Sequence, residues 1–415
     1  MASSISDHEI NSNQTSQPQE VSQSFSVSTR ALHADDHLNR NPDVAPPIHL
    51  STTFRYSSNP GDLVPAADED HAVPTDAHVY SRATAPNTTR LETLLQTLLF
   101  APCLTYSSGL AALHALYVFL RPDRVSVGAG YHGSRGVLSL HEKLHGLKVL
   151  PLECPVEDLQ KGDVIHLETP VNPTGEARHI AAYAKKAHSR GAVLVIDATF
   201  GPPGLQEPFQ WGADVVMHSG TKYLGGHSDM LMGVLATRNE KWLAGMRAER
   251  VSLGSVMGSL EGWLGLRSLR TLGLRVKAQS ENTGKLVCWL NDCLNGKDHS
   301  QDKGEAVRGV VERVQHASLQ GDDMDWLRKQ MPNGFGPVFA LWMKDETLAR
   351  QLPSKLKLFS HATSLGGVES LMEWRAMSDE QVDRRLVRVS VGLEDWEDLR
   401  KDLIKAFASL KDERK

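Results

Sequence analysis

The sequence predicts an α/β protein in which a mostly parallel sheet is followed by a smaller C-terminal α+β domain. From about residue 87 to residue 236, short β-branched runs alternate with helical segments, which is typical of parallel strands joined by crossover helices. Long helical patterns then extend to about residue 290, where the polar segment NGKDHSQDKGEA follows and indicates a domain boundary. A chain of 415 residues has room for two or three domains.

Each predicted strand is a short apolar run bounded by Gly, Pro or polar residues. A helix is predicted over 176–190, because its apolar residues recur at helical spacing and Gly191 follows. The charged C-terminal segment predicts another helix from about residue 395. The predicted strands are 124–128, 147–152, 164–168, 192–197, 214–218 and 231–236 in the large sheet, and 335–342 and 386–391 in the smaller domain.

Two polar segments are predicted to lie outside the packed domains. Residues 1–28 are rich in Ser, Gln and Asn and hold few apolar residues, so they predict a disordered tail. Residues 61–78 are acidic and contain proline, which indicates a surface loop.

Composition favours a small-molecule partner over a nucleic acid or a membrane. The net charge is −5, and no run approaches 18 uninterrupted apolar residues. Secretory, mitochondrial and peroxisomal signals are not recognisable, so we expect a cytoplasmic protein. The four cysteines fit neither a disulfide framework nor a zinc site; they are Cys103, Cys154, Cys288 and Cys293.

Lys222 is the first candidate for chemistry, because it follows a β-rich run in DVVMHSGTKYLGGHSD. Ligands bind at the carboxyl edge of open α/β sheets, and a partly desolvated lysine at that edge is a nucleophile. Ser219 and Thr221 add hydroxyl groups suited to a phosphate. By itself, a Thr-Lys pair is usually a solvated loop, so the interpretation depends on its neighbours.

Two neighbours support a pyridoxal 5′-phosphate (PLP) site. Asp197 ends the buried run AVLVID, where a carboxylate needs a partner such as a pyridinium nitrogen. Ser107 and Ser108 precede a helix, and the free N–H groups at a helix start bind phosphate. Either feature alone is more often a simple helix cap. Asn172 and Arg388, which suit a phenolic oxygen and a substrate carboxylate, are likewise ordinary in isolation.

Two alternative sites are weighed against this one. Residues 128–133 (GAGYHG) match a dinucleotide-binding pattern. We expect no long helix directly after these glycines, which argues against a dinucleotide site. Tyr131 is interpreted instead as an aromatic side chain that stacks on the cofactor ring. His218, His227 and Asp229 lack zinc-site spacing, so no metal is expected.

Eight ordered motifs resemble those of the PLP-dependent Cys/Met metabolism family, and the match runs from about residue 29 to 412. The amino-acid sequences of these motifs are most similar to those of the fungal cystathionine β-lyase branch. The motifs are VAPPIHLSTTF, YSR, SSGLAAL, ETPVNPTG, IDATF, SGTKYLGGHSD, SLGGVESL and RVSVGLED.

The resemblance implies the PLP fold type I, which is aspartate-aminotransferase-like. It implies an N-terminal arm over 29–86 that contacts the neighbouring subunit, a PLP-binding domain over 87–290 and a C-terminal α+β domain over 291–415. We therefore expect a homo-oligomer, a dimer of dimers, with shared active sites.

The resemblance also assigns roles. Lys222 would hold PLP as a Schiff base and take the substrate proton, Asp197 would pair with the ring nitrogen, and Tyr131 would stack on the ring and assist catalysis. The other cofactor-binding residues would be Ser108, Gly109, Leu110, Asn172, Thr199, Ser219 and Thr221, with Tyr80 and Arg82 supplied by the neighbouring subunit; Ser364, Arg388 and Asn172 would bind the substrate.

The expected activity is cleavage of the small sulfur amino acid L-cystathionine to homocysteine, pyruvate and ammonia. Thr363 stands where γ-lyases of the family often carry Glu, which weakens a γ-lyase assignment. Ala198 and Leu365 also depart from common family patterns. The alternative is a γ-replacement enzyme of the cystathionine γ-synthase or O-acetylhomoserine sulfhydrylase type, and a nucleotide-binding protein built on GAGYHG is the hypothesis from another class.

Overall fold

The computed structural model describes residues 25–65, 78–297 and 301–413. Most of the predicted tail and of the predicted loop over 61–78 lies outside these residues. The end of the predicted tail is wrong, because α1 begins at Val27. Ser26 caps this helix by accepting a hydrogen bond from the Thr29 backbone N–H, and Val27 packs against the core.

The larger domain is built on a seven-stranded sheet in the order β1-β7-β6-β5-β4-β2-β3. Strands β2 to β6 are mutually parallel wherever they pair, whereas β7 is antiparallel to both of its neighbours. The mostly parallel sheet of the prediction is therefore confirmed. The strands are β1 (Cys103–Tyr106), β2 (Arg124–Val127), β3 (Lys148–Pro151), β4 (Val164–Glu168), β5 (Val193–Asp197), β6 (Val215–Ser219) and β7 (Gly233–Thr237).

Helices cover both faces of this sheet. On one face α3 packs against strands through residues such as Leu113 and Leu116, and on the other α5 packs through Ile180 and Ala184. Because parallel strands buried on two faces carry near-continuous apolar runs, these strands were visible in the sequence. The helices of this domain are α1 (Val27–His33), α2 (Pro86–Leu99), α3 (Gly109–Leu120), α4 (His132–His145), α5 (Ile180–His188), α6 (Glu240–Leu253), α7 (Ser259–Leu269) and α8 (Leu272–Leu294).

The smaller domain has a five-stranded sheet in the order β10-β11-β12-β9-β8, and the helices over 301–310, 346–355 and 396–412 pack into one apolar core with it. The short helix over 324–330 packs through Leu327 into the core of the larger domain instead. The α+β character of the C-terminal region is therefore confirmed. Its strands are β8 (Val311–Gln315), β9 (Val338–Met343), β10 (Ser360–His361), β11 (Leu371–Trp374) and β12 (Leu386–Ser390), and its helices are α9 (Gln301–Val310), α10 (Met324–Gln330), α11 (Glu346–Lys355) and α12 (Trp396–Asp412).

Helix α8 joins the two domains. Leu272 and Val276 near its start belong to the core of the larger domain, whereas Leu286 and Leu290 belong to that of the smaller one. The predicted boundary at residue 290 therefore falls within a continuous helix, and the division into domains stays a prediction. In the described part of the chain, no helix is long and apolar enough to cross a bilayer.

Candidate active site

A cavity of about 340 Å³ lies at the carboxyl edge of the large sheet, beside the 363–388 segment of the smaller domain. It brings together every predicted site residue except Tyr80 and Arg82. The predicted residues that line it are Ser108, Gly109, Leu110, Tyr131, Asn172, Asp197, Thr199, Ser219, Thr221, Lys222, Ser364 and Arg388.

Lys222 lies three residues beyond the end of β6, in a turn closed by its backbone N–H donating to the Ser219 carbonyl at 3.1 Å. Its Nζ donates to the Ser364 hydroxyl at 2.8 Å. Burial, followed by the charge of Arg388, lowers the pKa of Lys222 to about 8, while the charge of Glu373 opposes the shift. A lysine with this pKa has a substantial neutral fraction near neutral pH, as a nucleophile or base requires.

The loop after Thr363 holds Ser364 against the lysine. Ser364 has a φ of 82°, a left-handed conformation that costs a non-glycine residue energy and is often found at functional sites. Gly366 has a φ of +81°, and a Cβ there would lie 2.9 Å from the carbonyl carbon of Lys222. Glycine at 366 therefore permits the close approach of this loop to the lysine backbone.

Asp197 ends β5 and is 5% exposed. Its Oδ1 accepts hydrogen bonds from the Thr199 backbone N–H at 3.0 Å and the Thr199 hydroxyl at 2.6 Å. The Thr199 Oγ1 in turn accepts from the Ser219 backbone N–H at 2.8 Å. Both hydrogen bonds use Oδ1 of Asp197. Within the described residues Oδ2 therefore keeps its lone pairs for a ligand.

The start of α3 forms a corner suited to phosphate. Ser108 caps the helix by accepting from the Ala111 N–H at 3.1 Å, while a Cβ at Gly109 would lie 3.1 Å from the Ser219 side chain. The free N–H groups of the first turn therefore meet the hydroxyl of Ser219 and, on the same wall, Thr221. The Thr221 hydroxyl also accepts from the Met232 backbone N–H at 3.0 Å.

Glu168 holds two of the predicted residues. Its carboxylate accepts from the backbone N–H of Tyr131 at 2.8 Å and of Asn172 at 2.6 Å. Burial and the neighbouring Asp197 raise the pKa of Glu168 to about 8. A Cβ at Gly130 would lie 2.4 Å from this carboxylate, which explains one glycine of GAGYHG without a dinucleotide.

The expectation that no long helix follows GAGYHG is wrong. Helix α4 begins at His132, inside the motif, because Val137, Leu138 and His141 give the next segment a buried helical face. This feature is therefore no argument against dinucleotide binding; the contact of Gly130 with Glu168 and the position of Tyr131 in the cavity argue against it instead.

Arg388 lies on β12 and is 3% exposed. Its Nη1 donates to Asn172 Oδ1 at 3.1 Å, and its Nη2 donates to the Ser364 carbonyl at 2.8 Å and to Glu373 at 2.6 Å. Burial lowers the pKa of Arg388 to about 10, so the group is cationic at neutral pH. It is anchored on both domains, and the second hydrogen of Nη1 can be donated to a carboxylate.

Sequence reasoning missed a second group of residues at the cavity. Glu373, behind the cavity lining, lies directly opposite Arg388 in the β11–β12 pairing and bonds it. Arg375 and Ser378 follow it and line the cavity together with His132 of α4, which contacts Arg375. The signal was the charged segment EWRAMSD, which becomes informative only once β11 is paired with β12.

Tyr80 and Arg82 do not line the cavity of their own chain. Tyr80 is 47% exposed, and the Arg82 guanidinium lies over its ring at 5.6 Å while Nη1 donates to the Val251 carbonyl at 3.1 Å. Their contribution to a neighbouring subunit's site stays a prediction.

Among the described residues, no cluster of His, Cys, Asp and Glu could hold a metal ion. His218 is buried within β6, and burial lowers its pKa to about 4. His227 Nδ1 lies 2.8 Å from the Gly225 carbonyl.

The fold and the site define a PLP-dependent enzyme of fold type I. The cavity supplies an amine of lowered pKa, a carboxylate for a ring nitrogen and a helix start for a phosphate. This donor set fits PLP.

The chain belongs to the Cys/Met metabolism PLP-dependent enzyme family, which it matches over residues 28–408. It is 32% identical over 405 residues to the cystathionine gamma-lyase of Dictyostelium discoideum, covering 92% of this chain and 98% of that one. It is 29% identical over 407 residues to the chloroplastic cystathionine beta-lyase of Arabidopsis thaliana, covering 93% and 82%. A crystal structure of cystathionine gamma-lyase from Lactobacillus plantarum complexed with L-serine has a TM-score of 0.81 at 27% identity, covering 93% of this chain and 100% of that one.

Proposed function

We propose that this PLP-dependent enzyme of sulfur amino acid metabolism is a cystathionine β-lyase. The reaction would convert L-cystathionine and water to homocysteine, pyruvate and ammonia. The observation that carries the proposal is Thr363, which lines the cavity next to Ser364. The family's γ-lyases often have Glu at this position, and here the cavity has a neutral hydroxyl group instead.

Lys222 is the proton carrier in this proposal. When bound, PLP supplies an electron sink that stabilises negative charge at the substrate Cα. The Nζ of Lys222 would remove the Cα proton of the bound substrate. Its pKa of about 8 suits this role, and the Ser364 hydroxyl 2.8 Å away orients it.

Asp197 and Tyr131 would fix the cofactor ring between them. Asp197 would hold the ring nitrogen, and its own position is set by the two hydrogen bonds from Thr199. The backbone N–H of Tyr131 is held by Glu168, which places the phenol ring at the cavity wall. The first turn of α3, together with Ser219 and Thr221, holds the phosphate.

Arg388 would bind the α-carboxylate of the substrate. Among the described residues its Nη1 has two hydrogens and one protein acceptor, Asn172. A carboxylate can therefore bond Nη1 without displacing Glu373 from Nη2. A carboxylate in this position would turn the substrate Cα toward Lys222, because both residues contact Ser364. Arg388 Nη2 donates to the Ser364 carbonyl, and Lys222 Nζ donates to its hydroxyl.

The assembly and location belong to the same proposal. Tyr80 and Arg82, exposed on their own chain, would complete the phosphate site of the adjacent subunit in a dimer of dimers. The enzyme would act in the cytoplasm.

Incubation of the purified holoenzyme with L-cystathionine tests the reaction. Equal amounts of pyruvate and homocysteine are expected, whereas 2-oxobutyrate and cysteine as main products would contradict a β-lyase. Formation of cystathionine from cysteine and O-acetylhomoserine would support a γ-replacement enzyme instead. Lys222→Ala should lose both turnover and the visible absorption of bound PLP, while Lys241→Ala, at an exposed lysine, should keep both.

A further inference from the structure

A second buried arginine lines the cavity beside Arg388. Arg375 is 2% exposed, and its Nη1 donates to Glu373 at 3.1 Å and to the Ser378 hydroxyl at 2.6 Å. Its Nη2 lies 3.1 Å from His132 Nδ1 and 3.9 Å from an Asp379 oxygen. The proposed binding of the α-carboxylate by Arg388 does not use this cation.

One carboxylate serves both arginines. Glu373 Oε2 accepts from Arg388 Nη2 at 2.6 Å and from Arg375 Nη1 at 3.1 Å, so these two donor nitrogens lie within about 6 Å of each other. Asp379 is too far from Arg375 for a hydrogen bond. The wall of the cavity thus holds two guanidinium groups that share one hydrogen-bonded carboxylate.

The edge of Arg375 that carries Nε and Nη2 is incompletely used. The Nε is buried and has no hydrogen-bond acceptor within the described chain. The Nη2 has two hydrogens and one acceptor at hydrogen-bond distance, the ring of His132. Burial and the charge of Arg375 lower the pKa of His132, which keeps its imidazole neutral and able to accept. An unpaired buried donor is unfavourable until an acceptor reaches it.

We propose that Arg375, with His132 and Ser378, recognises a carboxylate on the sulfur-bound, distal part of the substrate. The enzyme would therefore prefer thioether amino acids that carry a second carboxylate over neutral S-alkyl cysteines. Arg388 holds the α-carboxylate, and the Nε–Nη2 edge of Arg375 takes the distal one as a charge-assisted pair. The inference rests on the proposed function of the same cavity and adds the class of substrate side chain.

Two isosteric cysteine thioethers test this inference. S-(2-carboxyethyl)-L-cysteine has a distal carboxylate, and S-(2-carbamoylethyl)-L-cysteine has a neutral amide of the same size. Affinity is measured with the holoenzyme from the change in the cofactor's visible spectrum, and turnover from pyruvate release. The wild type should prefer the carboxylate by about tenfold or more, as a lost charge-assisted pair implies.

Arg375→Gln should reduce that preference to within about twofold. Arg375→Lys, which keeps the charge beside Glu373 but loses the planar fork, should be intermediate. Arg328→Gln, at an exposed arginine, is the control and should match the wild type. Melting temperatures report whether the variants fold, and Arg375→Lys replaces Arg375→Gln if the latter does not.

Equal wild-type affinity for the two compounds would overturn the inference. The inference would also be overturned if Arg375→Gln lost affinity for the two compounds equally, because Arg375 would then only hold Glu373 in place. A failure of the proposed reaction looks different. In that case no thioether releases pyruvate, yet the preference for the carboxylate is still seen in binding.

Discussion

The lowered pKa of Lys222 predicts how cofactor attachment depends on pH. Attachment requires the neutral amine, and the pKa falls from 10.5 to about 8 in the folded chain. At pH 7 about a tenth of the amine is then neutral, compared with a few parts in ten thousand for an ordinary lysine, an advantage of roughly 300-fold. The free energy behind this factor is about 3 kcal/mol, mainly the cost of burying the ammonium group.

The assay is the rate at which the apoenzyme gains visible absorption after PLP is added, measured across pH. Because the neutral fraction rises with pH, the rate should increase and level off with a midpoint near 8. Glu373→Gln removes the negative charge that raises the pKa of Lys222, so its midpoint should lie lower. Glu369→Gln makes the same change at an exposed carboxylate and should leave the midpoint unmoved. A wild-type midpoint near 10, or an upward shift in Glu373→Gln, would refute the reasoning.

Three further substitutions have definite expected outcomes. The buried guanidinium of Arg90 lies 2.6 Å from the carboxylate of Asp35, and Asp35→Asn removes that negative charge. The free energy of unfolding measured in urea should fall by about 3 kcal/mol. A loss below about 1 kcal/mol would contradict this expectation. Gly366→Ala places a side chain at a φ of +81° and against the backbone of Lys222, so activity should fall at least about tenfold. Gly367→Ala is the control and should have a smaller effect, because a Cβ there meets only side-chain ends and the nearby backbone of Glu369. Arg388→Lys keeps a charge but loses the planar guanidinium that Asn172, Ser364 and Glu373 hold in place, so steady-state kinetics should show KM for L-cystathionine raised at least about tenfold. An unchanged KM would exclude the assigned role.

The half of the site that belongs to the larger domain could be predicted from the sequence. Asp197 ends an apolar strand, and Lys222 closely follows another, so the sequence alone places both at the same edge of the sheet. The predicted fold class is confirmed, and the strands predicted in the large sheet agree with the observed bounds within two residues. In the smaller domain, the strand predicted over 335–342 begins at Val338, three residues later. Strand β1 was missed because its four residues, CLTY, have neither alternation nor a turn signal before the serines.

The half contributed by the smaller domain could not be predicted in the same way. Strand β11 has only four residues, and Glu373 within it interrupts the apolar pattern that identifies a buried strand. Its importance lies in the register, which places Glu373 opposite Arg388 and 15 residues away in the chain. His132 meets Arg375 across 243 residues, a contact with no local sequence signal.

The charges of the smaller domain have their best explanation in binding. Burying ion pairs contributes little to stability, because desolvation offsets most of the Coulomb attraction. Glu373 and its two arginines are nevertheless each at most 3% exposed, in or directly after strands of a sheet whose other buried residues are mainly apolar. Glu373 fixes both guanidinium groups through one oxygen, so the two donors keep a set spacing before a substrate arrives. Spacing of this kind favours a molecule with two carboxylates, and this is why the network also bears on the choice of substrate.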